Sequence, residues 1–152
     1  EVVVYRHNDM DDLEDKLKFH SGRRGLIVSD GVFSMDGDLV SLPRLVELAK
    51  RYGMCTMIDE AHATGVVGDT GRGTEEHYHM EGSVDVLMGT LSKAVGSEGG
   101  FVCGSKELIQ YLTNKARSFI FSTALSPVDH GGRAAGAAKN PGRAPASGAA
   151  AG

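Results

Sequence analysis

Short apolar, β-branched runs alternate along this chain with longer segments whose apolar residues recur at helical spacing, and this alternation restricts the fold more than any other feature. The runs VVVY (2–5), GLIVS (25–29), CTMID (55–59), VDVLMG (84–89) and GGFVCG (99–104) read as strands. Asn8 or Asp9 can cap a helix that places Leu13 and Leu17 on one face. Ser41 is positioned to cap a second helix, with Pro43 acceptable in its first turn. Leu42, Leu45, Val46, Leu48, Ala49 and Tyr52 form the apolar stripe of that helix, and Gly53 stops it. A third helix is expected from Ser105 to about Phe119, burying Leu108, Ile109, Leu112 and Ala116. Strands separated by helices require crossover connections, so the expected class is α/β: a mostly parallel sheet with helices on both faces.

In such sheets ligands bind beyond the carboxyl ends of the strands. Chemically capable side chains fall where that rule points. Asp30 and Ser34 follow the second run, Asp59 and His62 the third, and Thr90, Ser92 and Lys93 the fourth. Three loops at one sheet edge are thereby expected to share a site.

Composition narrows the remaining classes. The chain has 152 residues, 41% of them apolar and 24% charged, as a soluble globular domain requires. A net charge of −4 without a long basic run gives no nucleic-acid surface. No apolar run approaches the roughly 20 residues of a membrane-crossing helix. Cys55 and Cys103 each lie in an apolar run and read as buried free thiols, which points to a reducing cytoplasm. From Val128 onward the chain is mostly Ala, Gly, Pro and Arg. That segment, 128–152, is expected to be a disordered tail, because it has too little apolar surface to offset its ordering entropy, and the abrupt shift in composition after Pro127 marks it as foreign to the domain.

The stretch MIDEAHATG (57–65) admits several chemistries. Asp-Glu-Ala-His after an apolar strand matches the acidic box of a nucleotide motor, but such a motor needs an upstream GxxxxGK[ST] loop, and residues 1–58 hold no Gly-Lys-Ser or Gly-Lys-Thr. Asp59, Glu60 and His62 are metal-ligand types, as are His77 and His79, yet neither HExxH nor paired cysteines occur, so no metal is assigned. Pyridoxal phosphate uses more of the chain. It requires a lysine for its aldehyde, a carboxylate for its pyridine nitrogen, and donors for its phenolic oxygen and phosphate. Lys93, Asp59, His62 and Thr90 are of those types, and the glycines at 96, 99 and 100 permit close backbone approach.

Four motifs in order, SDGVFSMDGD, MIDEAHATGVVGDTGRG, GTLSKAVGSEGGFVCG and FIFSTALSP, resemble the α-oxoamine synthases, a family of pyridoxal phosphate enzymes of the fold-type I aminotransferase superfamily. The resemblance runs from Val2 to Pro127 and implies that 1–127 is the central part of a large cofactor-binding domain. It implies that Lys93 forms the imine, Asp59 pairs with the ring nitrogen, and His62 and Ser34 lie at the phenolic oxygen. Thr90 would hold the phosphate, while Ser122 and Thr123 would reach the cofactor of a second subunit in a homodimer. The implied reaction joins a small amino acid, alanine or glycine, to the acyl group of an acyl-CoA or acyl-carrier-protein thioester. The wording of GTLSKA and DEAHATGVVG is closest to members acting in biotin biosynthesis, with the glycine C-acetyltransferases next. The family's ring-stacking residue lies upstream of these motifs and its carboxylate-binding arginine downstream. A catalytically incomplete fragment is therefore the alternative reading.

Overall fold

The structure, a computed structural model, describes residues 1–124 of the chain. The 128–152 segment and the last three residues of FIFSTALSP lie outside the described residues. Four strands form one sheet in the order β1 (Leu26–Asp30), β2 (Cys55–Asp59), β3 (Val86–Thr90) and β4 (Gly100–Gly104). β1, β2 and β3 run parallel, and β4 returns antiparallel to β3. The register sets Asp30 opposite Asp59 and Asp59 opposite Met88, so β1 and β2 end abreast, β3 runs two residues further to Thr90, and all three release their loops at the same edge.

The crossovers carry the helices, of which α3 (Thr74–His77), between β2 and β3, is a single turn. α1 (Met10–Phe19) starts at Asp9, whose carboxylate accepts from the N–H groups of Asp11 at 3.1 Å and Asp12 at 2.9 Å. α2 (Leu42–Tyr52) has Pro43 in its first turn and ends at Gly53, which takes the left-handed conformation (φ 65°) that glycine adopts at least cost. Ser41 stands at the cap position of α2, but its side chain caps nothing. Leu13 and Leu17 of α1 meet Leu42, Leu45, Val46, Leu48 and Ala49 of α2 over Ile27 and Ile58 of the sheet, and this cluster is the core. Its formation follows from period: every third or fourth residue of α2 faces inward, and alternate residues of β1 and β2 face the helices. On the opposite face of β1, Leu26 and Val28 are each 51% exposed.

Three expectations are corrected. VVVY forms no strand; Val2 and Val4 stand 91% and 80% exposed, and strand-like composition makes no ladder where no neighbouring strand supplies hydrogen bonds. Cys55 is exposed rather than buried, since it occupies the face of β2 opposite Thr56 and Ile58; Cys103 is part-buried, and burial pushes its thiol up. The helix from Ser105 breaks into α4 (Lys106–Lys115) and α5 (Arg117–Ile120) at Ala116, whose ψ of 108° is extended. Neither piece buries a residue: α4 packs on β4, where Leu108 lies over Gly104, and against the short α5.

Candidate active site

The first site loop leaves β2. The Asp59 carbonyl accepts from Gly31 N at 2.8 Å, and its Oδ1 accepts from Ala61 N at 2.8 Å, the short-range turn that aspartate favours. Glu60 N donates to Met88 O at 2.6 Å, while Glu60 O accepts from Ala63 N at 2.9 Å and Thr64 N at 2.8 Å. This closes a tight turn over 60–64 and leaves His62 exposed near its apex.

The second loop leaves β3. Thr90 Oγ donates to Gly99 O at 3.1 Å and lies 2.8 Å from Ser92 Oγ, while Ser92 N donates back to Thr90 Oγ at 3.2 Å. Gly96 N donates to Lys93 O at 3.0 Å and Ser97 N to Leu91 O at 2.8 Å, so the loop is folded on itself and Lys93 projects from it. Gly96 and Gly99 have φ of 67° and 100°, conformations open to glycine. The two loops press together: a side chain at Gly65 would begin 2.9 Å from Ala94 Cβ. Across this contact Lys93 Nζ lies 2.7 Å from His62 Nε2, a distance at which one nitrogen donates and the other offers its lone pair.

The third loop follows β1 and carries Ser34. Phe33 N donates to Asp38 O at 3.0 Å, Gly37 N to Phe33 O at 2.7 Å, and Val32 bridges Leu39. The segment before α1 fastens this turn. Asn8 (φ 50°) donates from Nδ2 to Leu39 O at 2.9 Å and accepts from Ser41 N at 3.0 Å, while His7 Nε2 lies 3.0 Å from Asp38 Oδ2. Desolvation pushes the Asp38 carboxyl up, but the bonds from His7 and Asn8 outweigh it and hold the group below its usual range.

The structure thus joins Lys93 directly to His62, leaves Asp59 at the end of β2 three residues before His62, and sets Thr90 at the base of the Lys93 loop. Ser34 is exposed, and among the described residues no hydrogen bond joins it to the others. Ser122 donates to Ser118 O, and Thr123 is exposed; neither is bonded to the three loops. Glu60, read from sequence as a loop or supporting group, is 3% exposed. Its Oε1 accepts from Thr74 N at 3.0 Å and from Thr74 Oγ, yet burial raises its carboxyl above the ordinary range, with the charges of Glu75 and Asp59 adding to the rise. The only sequence signal for that role was the glycine and hydroxyl content of RGT (72–74).

An amine, an imidazole and a half-buried carboxylate at one sheet edge, with two hydroxyls beneath them, suit a ligand carrying an aldehyde, a basic ring nitrogen and a phosphate. A mostly parallel α/β domain with that set of groups defines a class of cofactor-binding domains. The chain belongs to the aminotransferase class I and II family, whose description matches residues 1–131. It is 55% identical over 127 residues to the 8-amino-7-oxononanoate synthase of Thermosipho melanesiensis, a match covering 83% of this chain and 32% of that one. The enzyme of the same name from Lysinibacillus sphaericus is 56% identical over 127 residues, covering 83% and 33%. The chain therefore spans about a third of the length of the curated relatives it matches. Among solved structures it is similar to serine palmitoyltransferase of Sphingomonas wittichii, with a TM-score of 0.85, 36% identity, and 91% of this chain and 35% of that one covered. It is also similar to the 8-amino-7-oxononanoate synthase of Francisella tularensis, with a TM-score of 0.74 and 28% identity over 89% of this chain and 38% of that one.

Proposed function

We propose that this chain is the central cofactor-binding portion of a pyridoxal phosphate-dependent acyltransferase that joins alanine or glycine to an acyl thioester, with 8-amino-7-oxononanoate synthesis in biotin biosynthesis as the leading assignment. The observation that carries the proposal is the 2.7 Å approach of Lys93 Nζ to His62 Nε2 across two loops at the edge where Asp59 ends its strand. The names of the relatives at 55% and 56% identity favour alanine and a pimeloyl thioester over the acetyl-CoA of a glycine C-acetyltransferase.

Pyridoxal phosphate, when bound, supplies an aldehyde for a lysine amine and a ring that takes up electron density from the substrate's α-carbon. Lys93 supplies the amine. An amine acts as nucleophile, or receives the α-proton of the amino acid, only when it is unprotonated. His62 Nε2, in hydrogen-bond contact with Nζ, is placed to hold or return that proton. Asp59 has Oδ1 committed to its own turn, which leaves Oδ2 as the carboxylate oxygen for a cationic ring nitrogen. Thr90, Ser92 and the glycine-rich turn offer hydroxyl and N–H groups to a phosphate. Ser34 takes the phenolic-oxygen side of the ring, and Ser122 and Thr123 the cofactor of a neighbouring subunit in a cytoplasmic homodimer.

Mixing the chain with pyridoxal phosphate, reducing with borohydride and locating the modified lysine by mass spectrometry tests the reading. Selective labelling of Lys93, lost in Asp59→Ala or His62→Ala, is expected. Scattered labelling over Lys16, Lys50, Lys106 and Lys115 refutes it. The short span relative to the curated relatives favours a second reading, a fragment that binds the cofactor without turnover. Production of free CoA from alanine and pimeloyl-CoA distinguishes the two.

A further inference from the structure

We infer that Glu60 is a positioning residue of this site: its buried carboxyl fixes the turn that carries His62, and so sets where His62 meets Lys93. The inference rests on the reading of Lys93 and His62 as the cofactor-handling pair. The backbone of Glu60 forms the turn, through Met88 O on one side and the N–H groups of Ala63 and Thr64 on the other. The turn is tied on its far side as well, where Gly65 N donates to Gly71 O at 2.8 Å and Gly73 N to Val67 O at 2.9 Å. The side chain adds a tie from within, bonding to the N–H and hydroxyl of Thr74, a residue that is itself 0% exposed.

The surroundings are shaped to admit the carboxyl. At Gly31 a Cβ would stand 3.0 Å from Glu60 Oε2, and at Gly73 it would stand 2.6 Å from the same atom. Gly31 also donates its N–H to Asp59 O at 2.8 Å. One side chain therefore lies against the loop after β1 at Gly31 and against Gly73 and Thr74, and Gly31 is in turn bonded to the end of β2. The far side of the same turn meets the Lys93 loop through Gly65 and Ala94. A displacement of the turn toward that loop would press on Ala94, the neighbour of Lys93.

Reach and charge separate cleanly by substitution. Glu60→Gln keeps an oxygen able to accept both Thr74 bonds. Glu60→Asp keeps the carboxylate but is one methylene short of Thr74. Two readouts are taken on folded protein: the imidazole nitrogen resonances of His62 in labelled chain without added cofactor, and the pH midpoint of the imine absorbance after adding pyridoxal phosphate. Glu60→Gln is expected to retain the wild-type His62 resonances and imine midpoint. Glu60→Asp is expected to shift the resonances and move the midpoint by about half a unit or more. If Glu60→Asp does not fold, Thr74→Val, which removes only the hydroxyl bond, is expected to shift both readouts in the folded chain. A folded Glu60→Asp, or failing that Thr74→Val, with wild-type resonances and midpoint overturns the inference, as does a Glu60→Gln that shifts both readouts. Should the wild-type chain form no imine at Lys93, the cofactor reading fails while the His62 resonances still decide the role of Glu60.

Discussion

Replacing Gly73 by alanine tests the packing around Glu60 most directly, because two separate penalties can be assigned from the geometry. Gly73 has φ 105° and ψ −159°, a region that only glycine occupies readily, and forcing a side chain there costs about 1–3 kcal/mol. The added Cβ would also lie 2.6 Å from Glu60 Oε2 and 2.8 Å from its Cδ. The carboxyl cannot swing away without giving up Thr74, so the overlap adds about 1–3 kcal/mol, the usual cost of overpacking. In a Glu60→Ala background the overlap is gone and the backbone strain remains. Equilibrium urea unfolding of the four chains of this double-mutant cycle, with m-values compared, is expected to show Gly73→Ala costing less when Glu60 is absent, by about 1–3 kcal/mol. Gly53→Ala serves as the reference, since its φ of 65° is left-handed but nothing lies within 4 Å of the added carbon. Additivity of the two substitutions within about 0.5 kcal/mol would refute the reasoning, because neighbours that share a contact cannot then be sharing this one.

Two further outcomes follow from burial. Leu45→Ala, at a fully buried position of α2 facing the sheet, is expected to destabilise the chain by about 2–5 kcal/mol in the same assay, whereas Leu26→Ala, at a half-exposed site of β1, should cost much less. The Glu60 carboxyl is raised above its ordinary value of 4.5 in the folded chain, so its contribution is fully present below that value and is lost as pH rises through the folded one. Glu60→Gln lacks that titration; its thermal midpoint, measured from pH 4 upward, should gain on the wild type as pH rises, and parallel curves would contradict the assignment.

Much of this arrangement was legible in the sequence, and for identifiable reasons. The apolar stripe of α2 and its glycine stop are local patterns, and both appear in the structure at the positions the sequence indicates. The edge location of Asp59, His62, Thr90 and Lys93 follows from the parallel rule alone, since loops leaving parallel strands must emerge together. Segments that depend on a neighbour were less legible. VVVY has the composition of a strand, but composition does not specify a pairing partner. The span 105–119 has helical period, but period does not fix continuity, and the extended backbone of Ala116 breaks it into α4 and α5. Hydroxyls were the least legible: residue type alone does not show that Thr90 bonds to Gly99 O or that Ser122 bonds to Ser118 O, because these bonds depend on local backbone geometry.

Asp59 and Glu60 show why adjacency in sequence conceals role. They are consecutive carboxylates of nearly the same chemistry, but Asp59 is the last residue of β2 and Glu60 the first of the turn that follows. Asp59 is left half-buried at the edge, with one oxygen spent on its own turn. Glu60 is carried inward, where a charge is costly to desolvate unless it is well bonded. The close approach of Gly31 and Gly73 makes room for the carboxyl, and Thr74 supplies two donors to it. Removing either glycine or Thr74 therefore tests Glu60, and through the 60–64 turn it tests His62 as well. On the proposed reading the two carboxylates divide the work, Asp59 serving the ligand and Glu60 the loop beside it.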